Sequence, residues 1–263
     1  MRMPTVTLLA KAYSSPQVRQ VEKNLKSTFE GLRVESKALG VTSRGWIQIS
    51  VSGEDENVAL RYLDDRIGLC PASLENINRF STIKGRITNL DKSRNELRVD
   101  MGVFSPSIYD AVIPLARLQA QLVDGRKISL KEIVEMFGFC ENLPFTVKID
   151  SVDRDKSLIE AEVAEKQRRQ YIAWTESLLD RLFILGTSLS GIELAIEEAG
   201  FNRDVVNIEP LGGFEYAVVC KLGTDAVGLI PRIGKNLRNA SLAVFSPRRI
   251  FTFFGNKLPL PIS

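Results

Sequence analysis

Five short strand patterns within residues 77–165 leave this chain few architectures. Residues 83–90 (IKGRITNL), 96–101 (ELRVDM), 111–115 (AVIPL), 145–152 (FTVKIDSV) and 157–163 (SLIEAEV) read as strands separated by polar turns. Between the third and fourth, residues 117–139 carry leucines, isoleucines and Phe137 at mixed helical spacing around the turn Asp124-Gly125. Five such strands predict a barrel with a helical insert between its third and fourth strands.

The flanking segments read differently. Residues 5–13 form a strand pattern that ends at Ser14-Ser15-Pro16, and Val18, Val21, Leu25 and Phe29 then recur at helical spacing up to Gly31. Residues 33–38 and 44–52 alternate around a turn near Gly40, and residues 54–67 return to helical spacing through Val58, Leu60, Leu63 and Ile67. The prediction is a βαββα domain over 1–72, the barrel over 77–165 and an α+β domain over 166–263. In the last segment, residues 172–185 and 189–199 predict helices, and residues 205–208, 216–222 and 226–230 predict strands. The phrases "NLDKSRNELRVDMG…DAVIPLARL" and "IEPLGGFEYAVVCKLGTDAVGLIPRIGKNL" echo one another, which suggests a small barrel-like sheet here and a degenerate duplication.

A five-stranded barrel with a helix after its third strand is the arrangement of the oligonucleotide/oligosaccharide-binding (OB) fold. Within it, Lys84-Gly85-Arg86-Ile87, the run 97–102 ending in Gly102, Asp110-Ala111-Val112-Ile113-Pro114-Leu115, the run 144–152 and the closing run 158–163 resemble an S1-type RNA-binding domain. That resemblance implies an RNA-contacting outer face. S1 domains usually carry aromatics on the second strand, where this chain has Glu96, Arg98 and Asp100; the aromatics nearest that face are Phe104 and Tyr109. Over nearly its whole length, with phrases such as "LGTDAVGLIPRIGKNL", the chain is similar to an archaeal family defined by the domain of unknown function numbered 2110.

Composition narrows the function. With 44% hydrophobic and 25% charged residues the chain is a folded one, and no apolar run reaches the roughly 18 residues of a membrane span. The start of the sequence lacks the pattern of a signal peptide, and Cys70, Cys140 and Cys220 are too scattered for a disulfide framework or metal site, so a soluble, cytoplasmic protein is expected. The chain contains no histidine, the side chain most used for acid–base catalysis and metal ligation, which argues for binding over catalysis.

Charge is uneven along the chain. Residues 71–165 carry 13 basic and 15 acidic side chains, while no acidic residue follows Asp225. In that final stretch Arg232, Lys235, Arg238, Arg248, Arg249 and Lys257 lie among Phe245, Phe251, Phe253 and Phe254. Basic side chains bind phosphate with counterion release and aromatic planes stack on unpaired bases, so the pattern is that of an RNA binder. Arg232, Lys235, Arg238, Arg248 and Arg249 are the first candidate contacts. Lys84, Arg86 and Arg98 on the barrel face follow, with Phe104 and Tyr109 as stacking platforms. A solvated face over a phenylalanine core is the competing reading.

Other patterns are weaker. Gly228 and Gly234 bracket a candidate phosphate loop around Arg232, but Gly234-Lys235 is followed by Asn236 and lacks the Walker spacing. Asp150, Asp153, Asp155, Glu160, Glu162 and Glu165 could gather a cation, though Asp153-Arg154-Asp155-Lys156 alternates like a solvated hairpin tip. Cys140 and Cys220 read as small buried hydrophobes. The resulting expectation is a non-enzymatic RNA-binding or ribonucleoprotein-associated factor with no cofactor or metal. The alternative is a protein-interaction module docking on the transcription or translation machinery, such as the ribosome; a carboxylate-and-metal enzyme ranks last.

Overall fold

Residues 5–90, 95–154, 156 and 158–255 are described by a computed structural model. The chain divides into two units: Met1–Asn76 with Gly102–Ile108, and Ile77–Met101 with Tyr109–Ser263. None of the helices among the described residues is long and apolar enough to cross a membrane.

The first unit runs β1 (Thr5–Lys11), α1 (Ser15–Thr28), β2 (Val34–Val41), β3 (Trp46–Gly53) and α2 (Glu56–Arg66), the βαββα order read from the sequence. β3 lies between β1 and β2, antiparallel to both. Ile47, Ile49 and Val51 pack with Leu25 and Phe29 around α1 and with Ala59 and Leu63 of α2. Trp46 turns to the other face of the strand, with Leu9 and Cys70. Each large apolar side chain buried this way contributes about 1.5–3 kcal/mol. β4 (Ala72–Ser73) runs parallel to Val103 and Ser105. Nearby Gly102, at φ +74°, could carry no side chain, since a Cβ would sit 2.5 Å from the Cys70 sulfur.

The second unit begins with the predicted barrel: β5 (Thr82–Thr88), β6 (Glu96–Ser105, of which residues 96–101 belong here), β7 (Tyr109–Pro114), β8 (Pro144–Asp153) and β9 (Leu158–Val163). The strands pair in the order β6-β5-β8-β9-β7, and β7 pairs back with β6, which closes the ring. β7 and β9 are parallel, whereas β5–β6, β5–β8 and β8–β9 are antiparallel. Counted in chain order the ring is first, second, third, fifth, fourth: the OB Greek key. Leu97, Val99, Val147, Ile149, Ile159 and Ala161 fill its interior. A Cβ at Gly85 would lie 2.5 Å from the Asp100 carbonyl oxygen and 2.6 Å from Val99 Cγ1, so the first two strands approach closely only because this residue is glycine.

Two helices, α3 (Leu115–Leu122) and α4 (Leu130–Phe137), form the insert between β7 and β8. Ser129 and Glu132 close a capping box at the start of α4, and Gly138 ends it in the left-handed region. From β9 the chain enters α5 (Glu165–Glu176), then β10 (Arg181–Leu185), α6 (Leu189–Ala199), β11 (Val205–Pro210), β12 (Glu215–Cys220), α7 (Ala226–Asn236), β13 (Ser241–Phe245) and α8 (Pro247–Phe253). These strands make an antiparallel sheet in the order β11-β12-β10-β13. Leu182, Ile184, Val218 and Val244 face Ile192 and Ile196 of α6 and Leu229 and Ile233 of α7. On the opposite face Phe183 and Phe245 each lie 5.6 Å, ring centre to ring centre, from Trp174 of α5. Tyr171 continues the aromatic cluster to Phe137 and Phe139, and Phe139 meets Phe145 of the barrel. These contacts unite barrel and C-terminal sheet.

Three expectations for the last segment are corrected. The helix expected over 172–185 stops at Glu176, Leu178 turns at φ +58°, and Arg181–Leu185 is a strand buried along its whole length. Buried on both faces, such a strand has no alternation to show, so periodicity alone cannot separate it from helix. The strand expected over 226–230 is the first half of α7. The Asp225 carboxylate accepts from the Val227 amide at 2.9 Å as its N-cap, and Ala226, Leu229 and Ile233 form its buried stripe. The sequence echo therefore pairs Asp110-Ala111-Val112 in β7 with Asp225-Ala226-Val227 at a helix start, and the C-terminal sheet is open, with β11 and β13 as its edges.

Candidate nucleic-acid interface

On the barrel, Thr82 lies opposite Lys148 and Lys84 opposite Thr146 across β5 and β8. Their neighbours Phe145, Val147 and Ile149 are buried in the core, so strand alternation turns Lys84 and Lys148 outward. Lys84 is exposed and borders a cleft of about 130 Å³, together with Lys166, Gln167 and Gln170 of α5, Pro210 at the end of β11 and Leu211 after it. Among the described residues neither Lys84 nor Lys166 forms an ion pair. Lys148 Nζ lies 3.0 Å from Glu162, Arg117 lies 3.5 Å from the same carboxylate, and Arg117 also pairs with Asp150. The face thus combines cations held by carboxylates with two lysines left to solvent, which suits a polyanion laid along it.

The other predicted contacts are dispersed. Arg86 is a correction: it is 2% exposed and its Nη2 donates to Glu215 of β12 at 3.1 Å, so it joins the barrel to the C-terminal sheet and is not displayed on the outer face. The C-terminal sheet meets Arg86 through Glu215, which sequence alternation alone does not reveal. Arg98 is partly exposed and paired with Glu96 at 2.6 Å. Phe104 belongs to the first unit and Tyr109 to the second, both half-buried.

The basic C-terminal run is divided by the fold. Arg232 and Lys235 are on α7, with Arg238 exposed just beyond it, and α7 covers one face of the open sheet. Arg248 and Arg249 are on α8, which packs on α5 and α4. Arg249 Nη1 donates to the Glu135 carbonyl at 2.9 Å, and the Arg232 guanidinium stands 4.8 Å from the Phe201 ring centre. The phenylalanines are packing residues: Phe245 is 0% exposed, Phe254 is buried, and Phe253 and Phe254 both lie under Arg126. The expected glycine loop is not a loop, for Gly228 and Gly234 lie inside α7. Lys257 falls outside the described residues.

The carboxylates of β8 and β9 are engaged by neighbours: Asp150 by Arg79 and Arg117, Glu162 by Lys148 and Arg117, Asp153 by Lys156 at 3.4 Å, and, just beyond β9, Glu165 by Arg169 at 2.7 Å. Asp155 falls outside the described residues. Burial pushes the Cys140 thiol up to about 12, aided by Glu141, and the Cys220 thiol up to about 12, aided by Asp180, Asp204 and Asp225. Neither thiol ionises near neutral pH, as small buried hydrophobes would behave.

Sequence reasoning misses Lys148 and Lys166. The alternation of FTVKIDSV contains the signal for Lys148, since the residues on either side of it point inward. Lys166 has no such signal, because only the packing of α5 against β8 brings it to the cleft that Lys84 borders.

Domain models of one family account for most of the chain: the DUF2110 N-terminal domain matches residues 5–72, the DUF2110 central domain 78–175 and the DUF2110 C-terminal domain 179–245. No curated protein matches it. A similar solved structure is the crystal structure of an a/eIF2alpha-aDim2p-rRNA complex from Pyrococcus horikoshii OT3; at 11% identity the likeness covers 49% of this chain and 70% of that one, with a TM-score of 0.26.

Proposed function

This chain belongs to the DUF2110 family, and we propose from its own residues that it is a non-enzymatic RNA-binding factor working through the outer face of its barrel. The observation that carries this reading is a closed barrel of OB strand order whose β5–β8 face presents Lys84 and Lys148 beside Lys166. OB barrels bind oligonucleotides, and a groove of cations tracking a backbone is the electrostatic half of such binding. The S1-like motif positions support the same reading. Arg232, Lys235, Arg238, Arg248 and Arg249 then act as outlying phosphate contacts carried by two separate helices and the turn after α7, not as one patch.

The test is a filter-binding titration with single-stranded and structured RNA at several salt concentrations. Affinity should fall linearly with salt on a double-logarithmic plot, and charge reversal at Lys84 and Lys166 should weaken binding to all sequences alike. Absence of binding, or binding indifferent to salt, refutes the function.

A second reading, a protein-docking module, draws on a cleft of about 1070 Å³ in the C-terminal part. Leu178, Leu222 and Val227 line it, exposed, beside Phe251, Phe253, Arg248 and Arg249. Specific capture of a component of the transcription or translation machinery, lost on changing Leu222→Asp, would favour that reading.

A further inference from the structure

Arg79 and Phe80 lie just before the first barrel strand, next to Lys148 of the lysine face. Phe80 is 60% exposed; among the described residues Tyr62, at 38%, is the next most open aromatic. Its backbone is unusual as well. The Ser81 amide donates to the Asn78 carbonyl at 3.2 Å, closing a turn whose third residue is Phe80 at φ +66°. That position of a turn favours glycine, and a bulky residue there is a conformational outlier.

The rest of the fold holds the outlier in place. The Phe80 amide donates to the Ile149 carbonyl at 2.7 Å, and the Ile149 amide donates back to the Ser81 carbonyl at 2.9 Å. An exposed apolar ring in a left-handed turn gains little from the isolated protein, which is the situation in which such strain accompanies a function.

Charge surrounds the ring. The Arg79 guanidinium carbon lies 4.5 Å from the ring centre and Lys148 Nζ 6.0 Å from it. Both cations are fixed from behind: Arg79 Nε donates to the Asp150 carbonyl at 2.6 Å, and Lys148 is held by Glu162. An aromatic plane edged by anchored cations matches the two halves of a nucleotide, a flat base and its phosphate. We propose that Phe80, with Arg79 and Lys148, is a stacking platform for an unpaired base of single-stranded nucleic acid. The site deepens the RNA-binding reading and rests on it. It also supplies an aromatic to the barrel where residues 96–101 of β6 have none, because the chain entering β5 carries the platform to the strand pair that bears Lys84.

The experiment measures binding of a fluorescein-labelled oligouridylate of about a dozen nucleotides, within the span of an OB barrel, and of a labelled RNA duplex, by anisotropy over a salt series. Phe80→Gly suits the turn and should fold as well as the parent. It should lose roughly 5- to 150-fold in affinity for the single strand, the contribution of one stacked base, with the salt slope unchanged. Its affinity for the duplex should stay the same, since duplex bases are already stacked.

Phe80→Trp should keep the affinity, and the fluorescence of the introduced indole should be quenched by the oligouridylate, readable against Trp46 and Trp174, which are buried. Parent-like affinity of Phe80→Gly for the single strand overturns the site while leaving the RNA-binding reading intact. Equal losses on single strand and duplex, an indole signal in Phe80→Trp that the oligouridylate leaves unquenched, or loss of a protein partner without loss of RNA affinity also overturn it. If the parent protein binds neither RNA, the function and the site fall together.

Discussion

Replacing Arg86 should be the most damaging single change to the second unit. Arg86 is paired with Glu215, which is 0% exposed, and Asp100, 1% exposed, stands directly opposite Arg86 in the β5–β6 register. The space is made to measure: a Cβ at Gly212 would lie 2.0 Å from Glu215 Oε2 and 2.7 Å from Arg86 Nη2. In Arg86→Met the buried Glu215 carboxylate loses its cation. Breaking a buried pair in this way costs about 3–5 kcal/mol, and in a unit of this size each kcal/mol lowers Tm by about 2–4 °C, so the loss is roughly 6–20 °C. Glu215→Gln should lose less, because the amide oxygen can still accept from Arg86. Thermal unfolding of both variants at neutral pH, followed by circular dichroism, reads the two losses. A Tm within about 2 °C of the parent, or a larger loss in Glu215→Gln than in Arg86→Met, would show that the pair is not what joins the barrel to the C-terminal sheet.

Three further outcomes follow from local geometry. Hydrogen bonds from the Ser129 hydroxyl and amide hold the Glu132 carboxyl below its ordinary value of 4.5. A lowered folded value means that the contribution to stability is present above the unfolded value and lost as pH falls through the folded one, so Glu132→Gln should remove a small acid-dependent part of stability. Ser129→Ala should cost about 1 kcal/mol at neutral pH, measured by urea unfolding. Cys140 and Cys220, both with thiols pushed up to about 12, should resist a disulfide reagent at pH 8 in the native protein and react once urea unfolds it; rapid native reaction at either would contradict the raised value of its thiol. Gly85→Ala should destabilise the barrel by about 1–3 kcal/mol, since its methyl would meet the Asp100 carbonyl at 2.5 Å, and a neutral urea midpoint would mean that β5 and β6 can part without cost.

Much of the architecture is legible locally. Alternation marks every strand of the barrel to within a few residues, and helical spacing marks α1, α2 and α6, because those elements bury one face and expose the other. Local pattern misleads where that asymmetry is absent. Arg181–Leu185 is buried on both sides and looks like the end of a helix, and the start of α7 resembles a strand until Asp225 is recognised as its cap. The candidate site is less legible. Lys84 stands out in the sequence, but Lys166 and the Phe80 turn depend on which distant segments meet.

Periodicity and steric need within short stretches are enough to set most of the order of elements and the barrel with its insert. Which surfaces remain open is a property of the folded chain alone. Folding closes the barrel by pairing β7 with β6, buries Arg86 against Glu215 more than a hundred positions away, and divides the basic run between α7 and α8. Whether a charge meets a ligand, a counter-ion or water is settled by the covering element, and that element is brought there by pairing of segments far apart in the chain.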